Sequence, residues 1–398
     1  MQPRLNLFTS ESVAMGHPDK VADRIADTIL DHLVSHDPHA RVAVEALVTS
    51  GHVVVAGEVS SRYRMPQRRV VEIVEETAAA IGYDDPRLGW SLDGVDIHVY
   101  LQRQAADIER GVVKDDGELG AGDQGMMFGY ATRQTDELMP LPIVLAHRLV
   151  ARQAQVRQTR QIPDLGPDAK AQVTVAFEGE TPVGIDSVVL STHHGPSWND
   201  RQEELHGAVR ERILAPVLGG WWRDDLRTFI NPTGKFEIGG PAADTGLTGR
   251  KIIVDTYGGW ARHGGGAFSG KDASKVDRSA GYMARYVAKN VVAADLADEC
   301  EVRLSYAIGV TDPTSVVVDC RGTARVDEAA IERAVREIFP LTPAGIIEAL
   351  GLRRPIYQAT SYHGHFGRTP GDDGTFTWER TDRAGDLRSA LGVSSAAV

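Results

Sequence analysis

Apolar residues recur every three or four positions in some stretches of the chain and alternate with polar ones in others. In Lys20–Val34, Val21, Ile25, Ile29 and Leu33 stand four apart, which predicts a helix with one apolar face after the start signal Pro18. Arg41–Val59 reads as two strands around the turn Thr49-Ser50-Gly51, and Val70–Ile81 as a second amphipathic helix. Hairpin-like pairs return at Ala171–Leu190, at Thr228–Ile238 around Asn231-Pro232-Thr233-Gly234, and at Glu301–Val318. Helical periodicity marks Ser279–Ala297 and Val326–Phe339. The recurrence predicts an α+β protein built from three units of similar plan. Ala105–Gly122 is polar, glycine-rich and without period, so it reads as a long loop.

Composition narrows the class. A chain of 398 residues suggests two or three domains, and 42% hydrophobic with 25% charged residues is ordinary for a globular protein. The formal net charge of -12 repels nucleic acid and anionic membranes, so a polyanionic ligand would need a local basic pocket. No apolar run approaches the ~20 residues of a membrane span, and the N-terminus lacks the apolar core of a signal peptide. Two cysteines, Cys300 and Cys320, suit a reducing compartment, and a cytoplasmic location is expected.

Two motifs mislead. Gly265–Lys271 fits the phosphate-loop pattern, but Asp272 stands where a Mg²⁺-binding hydroxyl is required; Asp272 instead suits capping the helix that follows or steadying its first turn. Gly120–Gly125 fits a dinucleotide pattern but follows an acidic stretch, not a strand, so its glycines serve a turn presenting Asp123 and Gln124. A third stretch, Ser10–Lys20, gathers Glu11, His17, Asp19 and Lys20 before a helix, where carboxylates can hold Mg²⁺ and an imidazole can donate to an oxyanion; Asp19 as a plain helix cap is the bland alternative. Lys170, Arg250, Lys251, Lys271 and Lys275 are cations set on turns, and Lys271 and Lys275 share a face at helical spacing. His193, His194, His32 and His36 have no metal-motif context and read as surface residues.

The stretches Ser10–Lys20, Gly120–Ala131, Pro167–Lys170 and Asn231–Ala280, above all its block Asp244–Ala280, resemble the S-adenosylmethionine synthetase (methionine adenosyltransferase) family, from about Phe8 to Trp378. The resemblance implies attack of methionine sulfur on C5′ of ATP, loss of the whole triphosphate, and its cleavage to pyrophosphate and phosphate. It implies His17 on the leaving oxygen; Glu11, Asp19 and Asp277 as ligands of two Mg²⁺ ions; and Glu45 as ligand of K⁺. Lys170, Arg250, Lys251 and Lys271 would neutralise phosphates, with Asp168, Ala169, Lys235, Phe236 (the adenine platform), Asp244 and Ala267 completing the ATP site. Glu58, Gln104, Asp244 and Lys275 would hold methionine. It implies three domains of similar topology about a pseudo-threefold axis, at 1–104, 121–236 and 237–398, with a mobile active-site loop at 105–120. It also implies a dimer or dimer of dimers with shared sites.

The chain departs from the family pattern at Met15, Ala105, Arg110 and Ala242-Ala243, which leaves the reaction class intact and bears on side-chain selectivity and loop kinetics. Two other classes compete. A P-loop kinase would need a strand before Gly265, and Tyr257–His263 is a poor one. A non-catalytic subunit would have no need for both the metal carboxylates and the phosphate cations.

Overall fold

The computed structural model describes residues 5–88, 90–91, 94–103 and 119–393. The expected loop at 105–120, except its last two residues, lies outside them, as do Gln104, Ala105 and Arg110. Strands and helices alternate in three sheets, each covered by helices on one face.

The first sheet has the order β1-β6-β7-β8, formed by Asn6–Val13, Leu165–Glu178, Thr181–His194 and Arg227–Ile230. The second, β4-β3-β2-β9, contains Arg41–Thr49 (β2), His52–Ser60 (β3), Asp96–Gln102 (β4) and the short Gly246–Leu247 (β9). The third, β11-β10-β5, joins Gly125–Thr132 (β5) to Glu299–Tyr306 (β10) and Ser315–Asp319 (β11). Each sheet therefore borrows one strand from a distant stretch of chain: β1, β9 and β5. Side chains alternate between faces. On β2, Val42, Val44, Ala46 and Val48 are buried, while Arg41, Ala43, Glu45 and Leu47 face outward.

The predicted elements at Arg41–Val59, Ala171–Leu190 and Glu301–Val318 are antiparallel pairs, as the alternation required. The pair expected at Thr228–Ile238 is absent. Asn231 takes a left-handed φ of 40°, and its amide accepts from Thr192 N–H (2.8 Å) and donates to the Thr192 carbonyl (3.2 Å). That side-chain bridge ties the end of β8 to β7, beside which β8 runs parallel.

Helix α1, Pro18–His36, is the common scaffold. Its apolar face packs on β2, and three of its acids hold distant loops. Asp19 accepts from Leu247 N–H, Asp23 from Gly249 N–H, and Asp27 from Gly270 N–H, at 2.9, 2.9 and 2.8 Å. Asp27 also makes a two-pronged pair with Arg278, at 2.7 and 2.9 Å, both side chains fully buried. Removing one member of such a pair strands a buried charge and costs about 3–5 kcal/mol. Arg278 belongs to the helix Val276–Ala293, which is buried along almost its whole length against β5 and β10. Cys300 and Cys320 are buried free thiols.

Candidate active site

The candidate residues gather in two places. The first surrounds the start of α1. His17 is the N-cap, and its Nδ1 accepts from Asp19 N–H at 3.2 Å, so the cap is the imidazole and not the Asp19 carboxylate. Because Nδ1 is an acceptor, the ring proton sits on Nε2, which is left as a donor. Burial, with Lys251 and Lys170 adding to it, depresses the His17 pKa to about 3, so the ring is neutral at physiological pH. Asp19 accepts from Lys251 Nζ at 2.5 Å and lies 3.6 Å from Arg250 Nε. Burial opposes its charge, but the Lys251 and Leu247 hydrogen bonds prevail and keep its pKa below the usual range. Lys20, by contrast, is fully buried between Asp23 (2.8 Å) and Asp255 (2.6 Å), so it fastens α1 and is not free for a ligand.

β6 and the segment after β8 complete this cluster. Lys170 is exposed on β6, and Glu11, opposite Gln172 on β1, is its diagonal neighbour on the same outer face. Asp168 is buried. Its Oδ2 accepts from Gly240 N–H at 2.9 Å, while its Oδ1 has no partner. Burial raises its pKa to about 6. A buried acceptor without a donor is costly, and a ligand hydroxyl or amine would satisfy it. Ala169 lies beside it with its side chain in the core, so it offers backbone only. Asp244 and Lys235 are exposed nearby in the chain, Lys235 resting on Glu237 at 3.2 Å.

His193 and His194, expected on the surface, are fully buried. His194 accepts from Phe236 N–H through Nε2 and donates its backbone N–H to the Phe236 carbonyl, both at 3.0 Å. The His193 ring lies 5.5 Å from that of Phe236. The two histidines thus hold the half-exposed phenyl ring in place. No sequence signal separates this from a solvated pair, because the partners arrive from 42 residues away.

The second cluster lies on the outer face of β2 and β3. Ala43 pairs with Glu58 on one side and with Lys271 on the other, so the Glu58 and Lys271 side chains project to the face that also carries Glu45. Gln102 donates to Glu58 at 3.2 Å. Lys271 donates to Asp277 at 2.7 Å. A Cβ at Gly266 would sit 2.2 Å from an Asp277 carboxylate oxygen, so glycine there keeps that carboxylate uncovered. The carboxylate oxygens of Asp19 and Asp277 are the hard donors that Mg²⁺ selects, and the cradle at Gly266 leaves room for an ion at Asp277.

The glycine-rich loop is not a P-loop: a short helix (Ile252–Asp255) and turns precede it, not a strand. Its glycines chiefly admit the protein's own backbone. A Cβ at Gly264 would strike the Met126 carbonyl at 1.6 Å, and one at Gly270 the Val44 carbonyl at 1.9 Å. Ala267 packs beside Gly249, at the first cluster's loop. Lys271 and Lys275 precede the helix that begins at Val276, so they share no helix face. Asp272 does not cap it either. The N-cap is Lys275, while Asp272 accepts from Val42 N–H (2.7 Å), Ser274 N–H (2.8 Å) and Lys275 Nζ, latching the loop to β2.

The two clusters attach at opposite ends of β2: Leu47 pairs with Leu247, which holds Asp19, and Ala43 pairs with Lys271. Four residues of strand separate these anchors by roughly 13 Å. Among the described residues no ion pair joins the two clusters.

Comparison with known proteins agrees along the chain. Residues 5–106 match the N-terminal domain, 118–236 the central domain and 238–380 the C-terminal domain of S-adenosylmethionine synthetase. An S-adenosylmethionine synthase of Parvibaculum lavamentivorans is 51% identical over 386 residues, covering 97% of this chain and 98% of that one. With three consecutive domains matched and half of all positions shared, the chain belongs to the S-adenosylmethionine synthetase family.

Proposed function

We propose that this protein is a methionine adenosyltransferase that makes S-adenosyl-L-methionine from ATP and L-methionine, releasing pyrophosphate and phosphate. The observation that carries the reading is the state of His17: a neutral imidazole with Nε2–H free, set among Lys170, Lys251 and Arg250. Displacement at C5′ leaves negative charge on the bridging oxygen of triphosphate, and a fixed donor there stabilises the transition state more than the ground state. A thioether sulfur carries no proton to remove, so the site requires no general base. Phe236 supports the adenine. The unpartnered Asp168 oxygen accepts from the nucleoside, and Asp244 and Lys235 lie at its rim. Glu58 pairs with the methionine ammonium, with Gln104 and Lys275 assisting. Lys170, Arg250, Lys251 and Lys271 neutralise the phosphates. Two Mg²⁺ ions, held by Glu11, Asp19 and Asp277, supply charge neutralisation of the triphosphate when bound, and Glu45 serves K⁺.

We further propose that the site is shared between subunits: the His17 cluster of one chain meets the Lys271 cluster of its partner, in a dimer or dimer of dimers. Each cluster alone lacks half of the required groups; the second opens onto an outer sheet face, and the first exposes Lys170 and Arg250 beside its buried His17 and Asp19. The segmentation into 1–104, 121–236 and 237–398 with a pseudo-threefold axis, the gating role of 105–120 and a cytoplasmic location are retained as parts of this reading. Among the described residues no helix is long and apolar enough to cross a membrane. The deciding assay supplies ATP, Mg²⁺, K⁺ and methionine. S-adenosylmethionine with both phosphate products is expected, and ATP hydrolysis without the sulfonium product would refute the assignment.

A further inference from the structure

We propose that the outer face of β3 and β4 binds one divalent transition-metal ion through His52, Asp96 and His98, on the same sheet face as Glu58 but at the other end of β3 and sharing no residue with either cluster. β3 and β4 run parallel with His52 directly opposite Asp96. His98 follows Asp96 by two residues, so the period of a strand brings it to the same face. The three side chains are exposed, and their ligand atoms all lie within 4.8 Å of one another. His52 Nδ1 is 4.0 Å from Asp96 Oδ2, and the two imidazole rings are 6.0 Å apart.

The backbone beneath is fixed. Asp96 N–H donates to the Gly51 carbonyl at 2.9 Å, clamping the β2–β3 turn onto the first residue of β4. Gly51 takes a φ of 80°, the left-handed region where glycine avoids strain. The ring of Tyr100 lies parallel to that of His98 with centroids 6.3 Å apart, flanking it on the strand. Among the described residues neither imidazole is engaged in a hydrogen bond, so both keep a free lone pair.

Two imidazoles and one carboxylate select Zn²⁺, Ni²⁺ or Co²⁺ over Mg²⁺ and Ca²⁺, which prefer all-oxygen shells. Metal–ligand bonds of ~2.0–2.2 Å require the donor atoms to draw about 1 Å closer, which small torsions of exposed side chains allow. Water fills the remaining position. The ion would staple the edge strand β4 to β3 at one end, while Gln102 at the other end of β4 contacts Glu58.

The test is isothermal titration of the EDTA-treated, dialysed protein with ZnCl₂, and in parallel with NiCl₂. Wild type is expected to bind one ion per chain at this site with micromolar affinity. His52→Ala and His98→Ala should each weaken that event by roughly tenfold or more, because each removes one of three ligands. Asp277→Asn should leave it in place, which separates it from binding at the phosphate-site carboxylates. Zn²⁺ should also raise the Tm of wild type and not of the His52→Ala/His98→Ala double variant, whose metal-free Tm should match wild type because both side chains are exposed. Affinity no better than millimolar in wild type, or an unchanged binding event in the double variant, would overturn the proposal.

Discussion

Under the proposed function the cluster at the start of α1 and the cluster at the glycine-rich loop would serve one triphosphate reaction, yet they are built differently. The first is buried and determined by its neighbours: His17 and Asp19 are each 2% exposed, and the protonation state and tautomer of His17 follow from burial and one backbone N–H. The second lies on a sheet face, with Glu45 exposed and Lys271 and Asp277 part-buried against each other. A buried site can fix a donor before substrate arrives. An open one has to be closed by something else, and under the shared-site reading that is the partner chain.

The largest expected effect tests this difference directly. Lys170→Ala and Lys271→Ala homo-oligomers should each lose most activity, whereas unfolding, mixing and reassembling the two should restore about a quarter of the wild-type rate, since half of randomly formed dimers hold one intact site in two. Restoration to no more than the sum of the separate variants, or a fully active monomer in sedimentation, would place all residues of a site in one chain.

Next in size is His17→Ala. Loss of a transition-state donor should slow adenosyl transfer by roughly 10²–10³-fold, and hydrolysis of added triphosphate much less, because that step breaks a different bond. Equal losses in both reactions would assign His17 to the fold instead of the chemistry.

Asp277 and Asp272 sharpen the contrast within the second cluster. Asp277→Asn should raise the Mg²⁺ requirement in a titration of activity and impair both reactions. Asp272→Asn should leave that requirement nearly unchanged and cost roughly 1–3 kcal/mol of stability, because it weakens a buried, ionised latch onto Val42 and Lys275. The reverse pattern would make Asp272 the metal ligand.

The smallest effect is a pH limb. With Asp168 at about 6 and His17 at about 3, ATP affinity should titrate a few-fold near pH 6 through Asp168, and Asp168→Asn should flatten the profile. The stability sign follows from the same raised value: the folded state holds a proton that the unfolded carboxyl, near 3.8, gives up. That contribution is complete below about pH 4 and is lost as pH rises through about 6. His17 acts oppositely, since its depressed value makes protonation below 6.5 favour the unfolded chain. A limb unchanged in Asp168→Asn would assign it elsewhere.

Much of this was legible in the chain. Periodicity located α1, α2 (Gln67–Ile81) and three of the antiparallel pairs, because burial on one face imposes a period whatever lies opposite. Candidate residues were legible through contiguous motifs. Readings failed where the partner was remote: Asn231 bridges to Thr192, His194 to Phe236 and Asp272 to Val42, and each contact removed a group from its local role. Lys20, grouped in sequence with Glu11, His17 and Asp19, is likewise held by Asp255, 235 residues away.

The sequence by itself determined most of the elements, the reaction class and the set of residue types, since these depend on local spacing and contiguous motifs. The tertiary structure alone decided which residues meet. β1, β5 and β9 each join sheets made mainly from other stretches, and β2 holds one cluster at either end. It also decided that His17 is neutral with Nε2 as donor, because burial and hydrogen-bond geometry, not residue identity, set a proton's place.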